Sequence, residues 1–425
     1  MLQTNYKKNI FFLDWSLFLL PISMIIGNAA ININCLIIIF LFLFNVFKKK
    51  NLDNLKKPKA IIPLLILFFF FLLNIYFSVD QKISLISFFG IIKYIFVALA
   101  FIYCFRNVDF FIDKFSKVVL VILVLVCVDV LIQYFFGADV FGNQVNKHHG
   151  YRLSGPFGDE YIVGSYISKF ALISLFYLNK KKGIYEALFL IFALGIVLLS
   201  NERSASIMFF AGIIVYFILT TNLKFTKKLI NFSCLAALII ILFNLNNQLR
   251  EHFIKRTFQQ FGIIENVDSR GAPLGNKIDS FWDSKWGAHF LTAFEISKNK
   301  PTLGSGLHTF RIECKNKKYE KIESGYFNER CNTHPHNIYL EVLSELGILF
   351  FIFFIIFIFY FLFKLFKVYF FNKKHQQEAS IIISLFFMLF FPIQTTGSLF
   401  STWNGVIYWI VIALCINIFN KSVKN

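Results

Sequence analysis

Residues 332–363, NTHPHNIYLEVLSELGILFFIFFIIFIFYFLF, decide the fold. Beyond Gly347 this run is apolar on every side, not along one helical stripe, and a helix of that kind is buried in a large core or in lipid. A bilayer core takes about 20 mainly apolar residues per crossing. By that measure the chain reads as about twelve crossings, near residues 10–27, 30–47, 60–78, 84–105, 117–136, 161–178, 184–200, 205–221, 229–246, 337–363, 379–396 and 404–420. Only Asn28 and the Asn32/Asn34 pair separate the first two. The tenth is longer than a bilayer is thick, so part of it is expected to project from the lipid.

Composition agrees. The chain has 425 residues, 57% hydrophobic, with a net charge of +19; soluble globular domains are roughly 45–50% apolar. A soluble enzyme and a disordered chain are both excluded. The amino end passes from Lys7 and Lys8 into an apolar stretch with no small-residue cleavage site, so that stretch is expected to be retained. With twelve crossings, more than half of the 43 Lys and Arg residues fall in loops on one side, among them Lys48–Lys50, Lys180–Lys182 and Lys373-Lys374. Both termini are then cytoplasmic. The expected architecture is an all-α polytopic membrane protein: nine membrane helices in 1–246, a large, mainly helical loop at 247–335, and three more helices in 336–425. The loop carries about 14 basic residues. Long loops cross regardless of charge, and by parity this one lies outside the cytoplasm. It reads either as a solvated surface or as a platform for an anionic substrate or lipid headgroups.

The loop and its borders hold the chemistry. WGAHFLTAFEISK (286–298) has apolar residues at helical spacing, followed by Pro301 and Gly304-Ser305-Gly306. This predicts a helix and then a tight glycine bend. Of the seven Cys, Cys314 and Cys331 lie in the loop and the other five in predicted crossings. In an oxidising compartment the pair would close a loop of roughly 17 residues, worth about 3 kcal/mol, the alternative being two free thiols. Pro335 suits a first helical position, which would put His336 and Asn337 in the first turn. There the unpaired N–H groups and the helix dipole favour a phosphate and a neutral, proton-accepting imidazole. His334 stands two residues before, and Asn337, Glu341 and Glu345 form one polar stripe. The plain alternative is an interfacial histidine. Arg203, in Asn201-Glu202-Arg203-Ser204, either pairs with Glu202 or offers a fork of donors to a diphosphate. Arg152, in YRLSGPFG (151–158), is a turn residue or a further anion contact. Lys93, Asp129 and Lys169 fall inside crossings and are functional candidates by default, unless they pair with one another. The chain has no phosphate-binding glycine loop, the outer loop has no Asp-x-Asp motif, and the histidines lack zinc-motif spacing, so neither a nucleotide nor a metal cofactor is expected.

These residues resemble the O-antigen ligase and O-antigen polymerase superfamily of bacterial inner-membrane glycosyltransferases. The family signature is His, then Asn, Ser or Gln, nine residues, and Gly-x-x-Gly. Here His336-Asn337 is followed after nine residues by Gly347, and Phe350 stands in place of the second glycine. Arg203 looks like the family's arginine at the start of the eighth crossing, and Leu303–Leu307 like its periplasmic glycine turn. The family's second arginine, on the helix before that turn, has no direct counterpart; Lys285, His289, Arg270 and Arg311 are the candidates for its charge. The resemblance implies metal- and nucleotide-independent transfer of a glycan from undecaprenyl diphosphate to an acceptor hydroxyl, lipid A core for a ligase or another lipid-linked repeat unit for a polymerase. It places the site on the periplasmic face of the inner membrane, with His336 taking the acceptor proton, Asn337 positioning it and Arg203 neutralising the diphosphate. Membrane lipids are partners; nucleic acid is not. A lipid-linked glycan flippase is the rival class, but such folds show internal repeats and midplane sites, whereas the polar groups here gather at one surface.

Overall fold

The computed structural model describes residues 11–423 apart from 49–60, 147–150, 182, 222, 265–279, 321–323, 325, 394 and 396. Lys7, Lys8, Lys49, Lys50, Lys182 and Arg270 therefore lie outside the described residues. Among the described residues there are helices and two isolated β-bridges, with no strand. The main helices are α1 (Phe11–Ile26), α2 (Asn28–Lys48), α3 (Ile61–Tyr76), α4 (Gln81–Asn107), α5 (Phe111–Phe136), α6 (Val163–Leu178), α7 (Gly183–Leu199), α8 (Arg203–Leu219) and α9 (Phe225–Leu245). They continue with α10 (residues 247–260, with a π-helical middle), α11 (Lys285–Asn299), α12 (Ile338–Phe371), α13 (Gln376–Phe390) and α14 (Thr402–Val423).

Each apolar run read from the sequence falls on one of these helices. Among the described residues, six (α2, α4, α5, α9, α12 and α14) are long and apolar enough to cross a membrane, while α1, α6, α7 and α8 are apolar but shorter. The difference follows from where they sit. Helix α6 packs against α5, α7, α8 and α13, and Ile167, Phe170, Ala171, Leu172 and Leu175 are all fully buried. A helix enclosed on every side is the centre of the bundle. Helix α9 buries only Asn231 and Leu235, and Phe40, Phe136, Phe363 and Phe371 stand exposed on α2, α5 and α12, as surfaces facing hydrocarbon do.

Two departures from the sequence reading shape the site. Helix α12 begins at Ile338 with Asn337 as its N-cap, not with Pro335 in its first turn. The Asn337 Oδ1 accepts from the N–H groups of Tyr339 (3.0 Å) and Leu340 (3.1 Å), two of the unpaired donors of the helix start. Those donors are consequently not offered to a phosphate, and His336 lies before the helix in a left-handed conformation (φ 59°). The second departure is at Gly347, where φ 78° and ψ 177° break the helical path of α12. The kink is where the glycine turn docks: Ser305 N–H bonds Ser344 O (2.9 Å), Gly306 N–H bonds Glu345 O (2.9 Å) and Ile348 N–H bonds Pro301 O (2.7 Å). The two backbones touch directly because neither Gly304 nor Gly347 has a Cβ to keep them apart.

Candidate functional site

Arg203 opens α8. Its neighbour Glu202 does not pair with it: the carboxylate accepts from the N–H groups of Gly164 (2.5 Å) and Ser165 (3.3 Å) at the start of α6. The Arg203 guanidinium turns instead to α10, donating to Thr257 Oγ1 at 3.1 Å. Arg152 comes from the bridged segment before α6. It donates to Tyr161 O at 2.7 Å and lies over the Tyr161 ring, 5.2 Å from its centroid. Its Nε is buried without a partner. Buried on α10 between these groups is His252, which burial and the guanidinium groups of Arg203, Arg256 and Arg152 push down to about 3. The structure thus gathers three arginines around one neutral histidine, and among the described residues none of the three is in an ion pair. Sequence reading missed His252, Arg256 and Thr257. The signal was present: His252 and Arg256 are four apart on a helix that directly continues a membrane crossing.

A second group forms around His336. Its Nε2 accepts from the Asn332 amide at 3.0 Å. Its ring lies 4.1 Å from the centroid of His334, 4.9 Å from Trp286 and 5.3 Å from His289. His289 is fully buried on α11 and its Nδ1–H donates to Arg330 O at 3.1 Å, leaving Nε2 bare. Burial lowers its pKa, so it does not supply the missing positive charge. Nor is Lys285 a free cation: it pairs with Glu329 at 2.6 Å on a half-exposed surface. Arg311 donates to His308 Nε2, whose Nδ1 meets Ser87 Oγ at 3.2 Å. Burial, Arg311 and His334 push His308 down to about 4. Cys314 and Cys331 are joined, with Cα atoms 5.3 Å apart.

Polar groups of α12 tie the two clusters together. Glu345 accepts from the N–H groups of His308 (2.6 Å) and Phe310 (2.9 Å), and Glu341 from Ser398 Oγ (2.5 Å) and Leu399 N–H (2.8 Å). The connection between α13 and α14 touches both helix starts: Pro392 O takes the Asn337 amide (2.9 Å) and Thr395 O the Ser204 hydroxyl (2.7 Å). Backbone strain gathers here too. Of the five described non-glycine residues with positive φ, four (Tyr151, Asn201, His308 and His336) are at these clusters, and strain of this kind collects at functional sites. The charges inside the predicted crossings do not pair with one another: Lys93 bonds Asn32 Oδ1, Lys169 bonds Asn404 Oδ1, and Asp129 accepts from Val140 N–H. Among the described residues no group of His, Cys, Asp or Glu is arranged to hold a metal ion.

No curated protein matches the chain. Residues 188–355 match the family model described as O-Antigen ligase. The matched stretch contains Arg203, His252, Arg256, the glycine turn and His336–Gly347, and it supports the O-antigen ligase superfamily for this part of the chain.

Proposed function

We propose that the protein is a ligase-type glycosyltransferase that moves a glycan from undecaprenyl diphosphate to an acceptor hydroxyl such as that of lipid A core. In this reading the two clusters face the periplasm, the termini are cytoplasmic, and 247–335 is the periplasmic segment. The observation that carries it is the pairing of two groups: Arg203, Arg256 and Arg152 gathered around His252, with Glu202 near Arg152, and a cluster around His336 in which burial lowers the pKa of His289 and His308. Arg203, Arg256 and Arg152 take the diphosphate, whose charge grows as the glycosyl carbon–oxygen bond breaks. Donors placed for that charge are usually the largest catalytic contribution. The acceptor hydroxyl replaces the Asn332 amide at His336 Nε2, attacks the glycosyl carbon and gives its proton to the imidazole. Arg256 takes the role that Lys285 and His289, by their contacts, do not.

The test is transfer by purified protein from a lipid-diphosphate-linked glycan to two rival acceptors, lipid A core and a second lipid-linked repeat unit. His336→Ala should abolish transfer while leaving membrane insertion intact. Arg203→Lys should impair it, because the two-pronged donor is lost. Unchanged activity in the His336 variant would remove the base assignment; full activity in Arg203→Lys would count against the clamp.

A further inference from the structure

One covalent bridge stands where several parts of the second cluster meet. On one side, Cys314 ends the one-turn helix Phe310–Glu313 and is fully buried in a small core with Ala293, Ile296, Phe310 and Tyr319. Glu345 holds that turn through the N–H groups of His308 and Phe310. On the other side, Cys331 lies between the two residues that touch the inner histidines. Arg330 O accepts the His289 Nδ1–H, and the Asn332 amide donates to His336 Nε2. Asn332 Oδ1 accepts from Thr333 N–H at 2.7 Å, which fixes the end of the amide that faces the ring. Residues 330–332 belong to no helix or strand, so no hydrogen-bond ladder sets their position.

We propose that the Cys314–Cys331 bridge is a positioning element for His289 and His336, and that opening it with a small dithiol lowers turnover without dismantling the fold. The inference rests on the proposed role of His336 and deepens it. In the reaction the protein S–S bond breaks, the dithiol is oxidised to a cyclic disulfide, and its two hydrogens end on Cys314 and Cys331. Catalysis is sensitive to shifts on the order of 1 Å, which cost about 100-fold where proton transfer needs alignment. With the bridge open, the covalent tie from residues 330–332 to the buried turn at Phe310–Glu313 is gone, while the bonds of Arg330 O and Asn332 to the rings remain.

The experiment uses the full chain in a Cys234→Ser background, which removes the exposed free thiol. Oxidised protein, dithiothreitol-reduced protein and the Cys314→Ala/Cys331→Ala variant are compared for kcat, for donor KM and for the ring-nitrogen magnetic resonance of 15N-histidine. Reduction and the double variant should lower kcat about tenfold or more with KM within about twofold, and His289 should lose its single Nδ1–H form. Unchanged kcat and unchanged ring signals would overturn the proposal, as would a raised KM with kcat intact. Should the double variant fail to fold, the reduced protein carries the test. The ring signals need no turnover, so their change in a protein that transfers no glycan would support the positioning role and refute the transfer reading.

Discussion

Gly347→Ala probes the contact on which the second cluster is built. A Cβ at Gly347 would collide with the Thr302 carbonyl and come within 2.7 Å of the Gly304 nitrogen, and both obstacles are backbone. The conformation itself, φ 78° with ψ 177°, is one that essentially only glycine adopts, at a cost of roughly 1–3 kcal/mol for another residue. Relieving the collision requires the turn and the kink to separate. That breaks the three backbone bonds from Ser305, Gly306 and Ile348, each worth about 1 kcal/mol net. The total is roughly 4–6 kcal/mol, which belongs to the rare, severe end of single substitutions. In detergent, thermal unfolding should shift down by on the order of 10 °C, and transfer should fall because Glu345 no longer holds His308 and Phe310. Gly90→Ala is the control: it lies within α4 with nothing inside 4 Å of an added Cβ, and should be neutral or stabilising by roughly 0.5–1 kcal/mol. If Gly347→Ala melts like Gly90→Ala, the backbone-on-backbone docking is wrong.

Asn74 is buried and bonds Leu303 O (2.6 Å), Glu345 O (2.9 Å) and Leu307 N–H (3.0 Å). Asn74→Ala should cost roughly 3 kcal/mol in denaturant unfolding, and a loss below about 0.5 kcal/mol would show that the turn is held otherwise. Lys285→Ala breaks only a half-exposed ion pair, so stability should change by less than about 1 kcal/mol and transfer hardly at all. Arg256→Ala, by contrast, should raise donor KM about tenfold or more; the reverse ranking would return the charge to Lys285. His252 and His308 have folded pKa values below the ordinary value, near 3 and 4, so the folded state binds fewer protons than the unfolded chain. Stability should therefore be lost as pH falls below about 6.5 toward those values. Melting should drop between about pH 7 and pH 5, and His252→Asn should flatten that drop; a melting temperature flat with pH in the parent protein would argue against buried neutral histidines.

The amino-acid sequence by itself determined the membrane helices, because lipid demands long apolar runs and each run declares itself locally. It also determined the α11 helix and the glycine bend after it, through helical spacing and Gly/Pro placement. Arg203 and the His336-Asn337 pair stood out because polar groups beside apolar runs are costly and so conspicuous. The tertiary structure decided what those residues touch. Arg256 lies far from Arg203 along the chain, and no periodicity joins them; the packing of α10 over the start of α8 does. Asn337 overrode Pro335 as the helix start because its side chain satisfies two backbone donors, whereas proline only lacks one. The 391–401 connection carries no motif, yet its carbonyls receive Ser204 and Asn337 and so hold the two clusters together. Hydropathy and spacing report what each segment needs from its surroundings. Which distant polar groups meet is set by how the helices pack, and only the folded chain contains that.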